Sequence, residues 1–104
     1  MKRIIALVLF TAFAGITYAQ TSTPRVDQRE HHQRARIRQG AASGELTRRE
    51  TAKARHDQRH IRRTERRAKA DGTVTRKERA HLHREQNRAS RSIYRNKHDK
   101  QVRK

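Results

Sequence analysis

The feature that most constrains this chain is a segment that occurs twice, 28 residues apart. Residues 43–52 have the sequence S-G-E-L-T-R-R-E-T-A, and residues 71–80 have the sequence D-G-T-V-T-R-K-E-R-A. Glycine, threonine, arginine, glutamate and alanine are identical at five positions, and Leu46 corresponds to Val74. Such a repeat at a fixed spacing indicates one structural unit that is used twice.

Each copy contains the sequence signature of a helix start. Thr47 and Glu50 form a T-x-x-E capping box, and Thr75 and Glu78 form the same motif in the second copy. The threonine hydroxyl accepts a hydrogen bond from an early helix N–H, while the glutamate accepts one from the N–H of the threonine. A glycine three residues before each threonine suits the turn that ends the preceding helix. The repeat therefore predicts a helix, a tight turn and a capped helix.

The composition between the turns favours helices. Arg, Ala, Glu, Gln and Lys dominate, and all of them are good helix formers. The breaks are confined to residues 40–44 and 71–72, where the glycines cluster. The sequence predicts an all-α protein with helices near 25–40, 47–70 and 75–98, arranged as a helical hairpin or three-helix bundle of marginal stability.

Few large apolar side chains are available to hold these helices together, so their positions matter. Residues three and four apart share one face of a helix, and this spacing predicts an inner face on each helix. The predicted inner faces are Val26, Glu30, Gln33 and Ile37; Ala54, Gln58, Ile61, Glu65 and Ala68; and Leu82, Gln86, Ala89 and Ile93. The glutamines and glutamates on these faces predict a half-polar interface. Formation of a homo-oligomer, or binding of an anionic partner, would stabilise the folded bundle.

The first 19 residues have the pattern of a secretory signal peptide. Lys2 and Arg3 precede an apolar run over residues 4–16, and small residues at Thr17 and Ala19 suit cleavage after Ala19. This run is shorter than the roughly 20 residues that span a bilayer, so we expect no transmembrane span. The signal peptide pattern predicts a periplasmic or secreted protein. This protein would form no disulfides, because the chain contains no cysteine.

This interpretation divides the chain into three parts. We expect a signal peptide over residues 1–19, a basic helical domain over 20–98 and a disordered basic tail over 99–104. The whole chain has a formal charge of +18, and the part after residue 19 keeps +16, because Lys2 and Arg3 are the only charged residues removed. That excess is too large for a merely solvated surface and favours an anionic partner.

Arginine supplies most of the positive charge, with 20 arginines and 6 lysines after residue 19. Its planar guanidinium forms paired hydrogen bonds with phosphate, sulfate or carboxylate groups. One cluster, at residues 34, 36 and 38, lies on the first predicted helix, and two larger clusters follow. The residues predicted to bind polyanions are Arg59, Arg62, Arg63, Arg66, Arg67, Arg84, Arg88, Arg91 and Arg95.

The partners expected for such a surface are lipopolysaccharide, phospholipid headgroups or extracellular nucleic acid. Tyr94 is the only aromatic residue after the predicted signal peptide, so base stacking is poorly provided for. The sequence therefore predicts electrostatic binding to anionic surfaces or polymers that does not depend on a ligand sequence.

Each repeat also resembles the second half of an EF-hand calcium loop. Gly72 takes the glycine position, Asp71 the fifth position and Glu78 the closing position. The resemblance implies two helices around a loop, with the segments at Leu46 and Val74 side by side. Arginine and lysine stand at the first ligand positions of this loop, and they cannot ligate a cation.

Histidines provide a second hypothesis for a metal site. His56 and His60 are four residues apart and share a helical face, as metal ligands often do. A divalent-metal-binding, EF-hand-like protein is therefore an alternative function, with these histidines, Asp71 and Glu78 as candidate ligands. Because arginines flank every histidine, we expect no metal and no other cofactor.

Catalysis has little support in the sequence. Ser90, Ser92, His81 and Glu78 could form a nominal triad, but any polar helix offers such combinations. A chain with so small a core lacks the rigid support that an active site needs. The sequence predicts a protein that is not an enzyme and has no catalytic residues.

Residues 44–52, 71–82 and 84–99 together resemble a group of small secreted bacterial proteins of unassigned function that carry two G-x-[LV]-T-x-x-E repeats. The paired L-T-x-x-E segments are also similar to the L-T-x-x-Q motifs of Spy-like periplasmic chaperones. Those chaperones are small, helical, basic and exported. The second resemblance implies an alternative function as a periplasmic stress chaperone.

Overall fold

The computed structural model describes residues 22–101 and shows an all-α three-helix bundle. Helix α1 spans Pro24–Ser43, α2 spans Arg48–Lys69 and α3 spans Arg76–Lys97. The prediction of three helices is confirmed. The predicted signal peptide and the last three residues of the predicted tail lie outside the described residues.

Both predicted capping boxes are present. Thr47 Oγ1 accepts from Glu50 N at 3.2 Å, and Glu50 Oε2 accepts from Thr47 N at 2.8 Å. Thr75 and Glu78 make the same two bonds at 3.1 and 2.8 Å. Each box satisfies backbone donors that the start of a helix leaves unpaired, which fixes where α2 and α3 begin.

The first helix extends further than the sequence predicts. Gly40 was expected to open the turn, yet it is buried inside α1, and the turn comes at Gly44 with φ of +82°. Leu46 N donates to Gly40 O at 3.0 Å, and a Cβ on Gly40 would lie 2.7 Å from Leu46 Cγ. Gly40 therefore makes room for Leu46 against the helix, and this packing need is not visible in a list of turn residues.

Two apolar clusters show that the helices run up, down and up. One cluster joins the beginning of α1 to the later half of α2 and the middle of α3. The other joins the later part of α1 to the beginning of α2 and the end of α3. The clusters consist of Val26, Ile61, Leu82 and Ala89, and of Ile37, Leu46, Ala54 and Ile93. Every predicted inner-face residue is buried.

This topology overturns the expectation that Leu46 and Val74 lie side by side. Leu46 precedes α2 and Val74 follows it, so the 22 residues of that helix, about 33 Å, separate them. Each side chain is buried at its own end of the bundle. Two successive turns of an up-down-up bundle lie at opposite ends, whereas paired EF-hand loops must lie at the same end.

A layer of three glutamines, one from each helix, crosses the core. Gln58 Nε2 donates to Gln33 Oε1 at 2.9 Å, and Gln33 Nε2 donates to Gln86 O at 2.9 Å and Ser90 Oγ at 2.6 Å. Gln86 Nε2 donates to Val26 O at 2.9 Å. The predicted half-polar interface is therefore a connected hydrogen-bond network, which we call the glutamine layer.

Candidate anion-binding grooves

The arginines of α1 and α2 face each other across a groove of about 510 Å³. We call this the α1–α2 groove. Its floor includes Ile37 and Gln58 of the core. The basic side chains that line it are His31, Arg34, Arg38, Arg55, Arg59 and Arg62. Because these side chains come from both helices, positive charge converges on one depression.

Helical spacing explains how each wall of this groove forms. Arg34 and Arg38 are one turn apart on α1, so they point the same way. On α2, Arg55, Arg59 and Arg62 follow at spacings of four and three residues. Each step of four residues advances about 6 Å along a helix, so the guanidinium groups form two parallel rows.

Compensating negative charge near these two rows comes from Glu30, which interacts electrostatically with Arg34 and Arg62. Within residues 22–101, Arg34, Arg38, Arg55 and Arg59 form no ion pair within 4.0 Å. Arg62 Nε lies 4.0 Å from Glu30 Oε1 at the end of the groove. Neighbouring guanidinium groups repel one another in the free protein, and an anion between the rows would relieve this repulsion.

A second basic groove lies on the other side of α1 and has a volume of about 620 Å³. We call this the α1–α3 groove. It is lined by Arg36, Arg88, Ser90, Arg91, Tyr94 and Arg95. Arg88 is also 3.5 Å from Glu85, a weak exposed pair. This groove differs from the first because its ring is the phenol of Tyr94, whereas the ring in the first groove is the imidazole of His31.

The nine arginines predicted to bind polyanions do not share one surface. Four of them border the α1–α2 side, three line the α1–α3 groove, and Arg67 and Arg84 lie between α2 and α3 near Glu78. The first four are Arg59, Arg62, Arg63 and Arg66, and the next three are Arg88, Arg91 and Arg95. An exposed helix face in a bundle borders two grooves, so a stripe along one helix divides between them.

Sequence reasoning did not assign Arg34, Arg38 and Arg55 to the site. Arg34 and Arg38 stood out as a cluster, but nothing in the sequence showed that they face α2. Arg55 could have been found, because it continues the row of Arg59 and Arg62 at a spacing of four residues.

No family model, curated protein or solved structure matches this chain. Within residues 22–101, no helix combines the length and the apolar character needed to cross a membrane. The geometry and charge of the grooves are therefore the basis on which we infer a function.

The four residues considered as metal ligands have other contacts. His56 Nδ1 lies 3.7 Å from Asp57 Oδ1, and His60 Nε2 lies 3.7 Å from Glu85 Oε2. Asp71 Oδ1 accepts from the backbone N of Thr73 at 3.0 Å, and the Glu78 carboxylate accepts from the backbone of its capping box. The two histidines thus lie on α2 and contact carboxylates, whereas Asp71 and Glu78 lie at the α2–α3 turn and accept hydrogen bonds from the backbone.

Three carboxylates meet elsewhere, between the beginning of α1 and the end of α2. Oxygens of Asp27, Glu30 and Glu65 lie within 4.8 Å of one another. Lys69 Nζ is 2.8 Å from Glu65 Oε1 and 4.0 Å from Asp27 Oδ1, and Thr23 Oγ1 also donates to Glu65. The ammonium group of Lys69 thus offsets the negative charge of Glu65 and Asp27, while Arg62 lies near Glu30.

Burial, followed by repulsion from Glu65, raises the pKa of Glu30 above its ordinary value. Burial acts the same way on Glu65, but hydrogen bonds from Lys69 and Thr23 outweigh it and lower the pKa of Glu65. Ionised Glu30 therefore opposes folding as the pH rises through its raised pKa. Ionised Glu65 supports folding, and this support is lost as the pH falls through its lowered pKa.

Glu30→Gln and Glu65→Gln should therefore have opposite effects at neutral pH. We expect Glu30→Gln to increase the free energy of unfolding by about 1 kcal/mol, because it removes a poorly paired buried charge. Glu65→Gln should decrease it by about 2 kcal/mol, because it weakens charge-assisted bonds. Urea unfolding followed by circular dichroism would measure both, and both differences should shrink near pH 4. Equal signs at pH 7 would contradict these assignments.

Proposed function

We propose that this protein binds anionic polymers or anionic surfaces through the α1–α2 and α1–α3 grooves, and that it does so without catalysing a reaction. The observation that carries the proposal is the set of four arginines in the α1–α2 groove that form no ion pair within residues 22–101. Two rows of forked donors suit a ligand with repeated phosphate, sulfate or carboxylate groups.

Counterion release supplies the driving force for such binding. A polyanion holds condensed cations, and each basic side chain of the protein that contacts the polyanion releases some of them. The binding then depends on charge density more than on ligand sequence. Lipopolysaccharide, phospholipid headgroups and extracellular nucleic acid all meet this requirement, and the proposed export to the periplasm or beyond the cell would bring the protein to them.

Retention on heparin and on immobilised DNA tests the proposal. We expect firm retention at about 50 mM salt and a loss of affinity of about 10³- to 10⁵-fold by 200 mM, as for a protein with 6–10 phosphate contacts. The uncharged column matrix serves as the control for unspecific adsorption. No retention at low salt, or retention that does not change with salt, would refute electrostatic binding.

A Spy-like chaperone role receives less support from the structure. A chaperone that holds unfolded clients needs accessible apolar surface. Among residues 22–101, Tyr94 is the exposed large hydrophobic side chain, whereas the aliphatic side chains of the inner faces are buried. Suppression of client aggregation at physiological salt, without any polyanion present, would favour the chaperone over the electrostatic proposal.

A further inference from the structure

Tyr94 contributes a tyrosine ring to the α1–α3 groove, and within residues 22–101 it is exposed, whereas the aliphatic side chains of the inner faces are buried. The residue is 56% exposed, although the chain has few apolar residues with which to build a core. It lies on α3, where it lines the α1–α3 groove among the arginines. The ring therefore adds a flat, accessible surface to a groove whose other lining residues are four arginines and a serine.

The ring of Tyr94 is held in place by His98, one turn later. The two rings are stacked, with centroids 4.2 Å apart and an interplanar angle of 28°. His98 Nδ1 also lies 2.7 Å from Tyr94 O, which fixes the histidine. One face of the Tyr94 ring is therefore covered, and the ring is oriented before any ligand arrives. Little side-chain entropy remains to be lost when a flat ligand stacks on its other face.

Four arginines line the same groove as this ring. Arg91 and Arg95 come from the same helix as Tyr94, and Arg36 faces them from α1. At the floor, Ser90 Oγ accepts from Gln33, which ties this wall to the glutamine layer. The volume of about 620 Å³ lies in the range of sites for small ligands, about 300–1,000 Å³. The groove thus offers a flat apolar surface beside several phosphate-binding forks.

The sequence predicts little base stacking because it offers one tyrosine, but the structure orients that ring in a basic groove. From this geometry we infer that the α1–α3 groove binds a single unpaired nucleobase stacked on Tyr94, with the neighbouring phosphates on the arginines. The inference rests on the proposed function and names single-stranded nucleic acid as its ligand. A base in a duplex has no free face, and heparin and lipid headgroups have no base at all. Stacking on one aromatic ring contributes about 1–3 kcal/mol per base, whatever the base is.

The test compares two ligands that differ only in their bases. One is an oligothymidylate of about 12 nucleotides, and the other is an abasic deoxyribose-phosphate polymer of the same length. At about 100 mM salt, the full chain should bind the oligothymidylate about 5- to 150-fold more tightly. Tyr94→Leu should remove this preference without changing the affinity for the abasic polymer, and Tyr94→Phe should retain it.

Two controls separate stacking from charge and from folding. Arg91→Gln should weaken binding of both polymers equally, because it removes a phosphate contact and leaves the ring in place. Circular dichroism should show unchanged helix content for Tyr94→Leu, since this side chain is exposed. A preference for bases that survives in Tyr94→Leu would overturn the inference.

Two other outcomes distinguish this inference from the proposed function. Equal, salt-dependent affinities of the unmodified chain for both polymers would overturn stacking and leave electrostatic binding intact. Absence of binding to both polymers and to heparin would overturn both proposals.

Discussion

Replacing Gln33 by leucine should destabilise the bundle by about 2–3 kcal/mol, the largest effect we expect from a single substitution in the glutamine layer. The Gln33 side chain accepts a hydrogen bond from Gln58 and donates to Gln86 O and Ser90 Oγ. Leucine has a similar volume, so little of the loss would come from a cavity. It would come from the Gln58 amide, which is buried and would lose the hydrogen bond that its Nε2 makes.

The same substitution at Gln86 is a matched control. Gln86 is as deeply buried, but its Nε2 donates to Val26 O, a carbonyl that lies within helix α1. Gln86 Oε1 has no hydrogen-bond partner in the described structure. Gln86→Leu therefore removes an unsatisfied acceptor and leaves no side-chain amide without a partner, so we expect a change below about 1 kcal/mol.

A double substitution separates lost hydrogen bonds from lost packing. Gln33→Leu combined with Gln58→Leu removes both members of the pair, so the cost of an unpaired amide disappears. We expect the double variant to be more stable than Gln33→Leu alone, which is strong non-additivity between contacting residues. Urea unfolding followed by circular dichroism measures the unmodified protein, Gln33→Leu, Gln58→Leu alone and the double variant. Additive losses would show that packing around Gln33, and not the hydrogen bond to Gln58, stabilises the bundle.

The glutamine layer also shows what the sequence could predict. Helical spacing placed Gln33, Gln58 and Gln86 on inner faces, and all three are buried. Spacing could not show which amide donates to which oxygen. That depends on the relative height of the helices, which is set by the two turns and by the packing of Leu46 against Gly40.

The candidate grooves were predictable to a smaller extent, for a related reason. The charge excess and the row of Arg59, Arg62 and Arg66 on α2 follow from the sequence alone. Which residues of α1 face that row depends on how far α1 is rotated in the bundle. Arg34 and Arg38 face α2, whereas Arg36 borders the groove with α3. Tertiary packing decides which groove a residue borders, since neighbouring positions on one helix can border different grooves.

The second large effect concerns the affinity for a polyanion. A fourfold arginine substitution tests whether the α1–α2 groove or the net charge alone is responsible for binding. Replacing Arg34, Arg38, Arg55 and Arg59 together by glutamine removes both rows of guanidinium groups while keeping good helix formers. If each arginine neutralises one phosphate of a single strand, the slope of log K against log salt should become less negative by about 3. At about 100 mM salt, the affinity for an oligonucleotide should fall by about 10²- to 10³-fold.

The matched control removes the same charge from elsewhere on the surface. Arg25, Arg48, Arg49 and Arg76 are exposed near helix starts, and none of them lines either groove. Their replacement by glutamine lowers the net charge equally, yet it should reduce the affinity by less than about 10-fold, because charges beyond a Debye length of about 10 Å are screened. Fluorescence anisotropy with a labelled oligonucleotide at several salt concentrations measures both variants. If the two rows converge on one ligand, the groove variant should bind more weakly than the control variant. Equal losses of affinity in the two variants would show that overall charge drives binding.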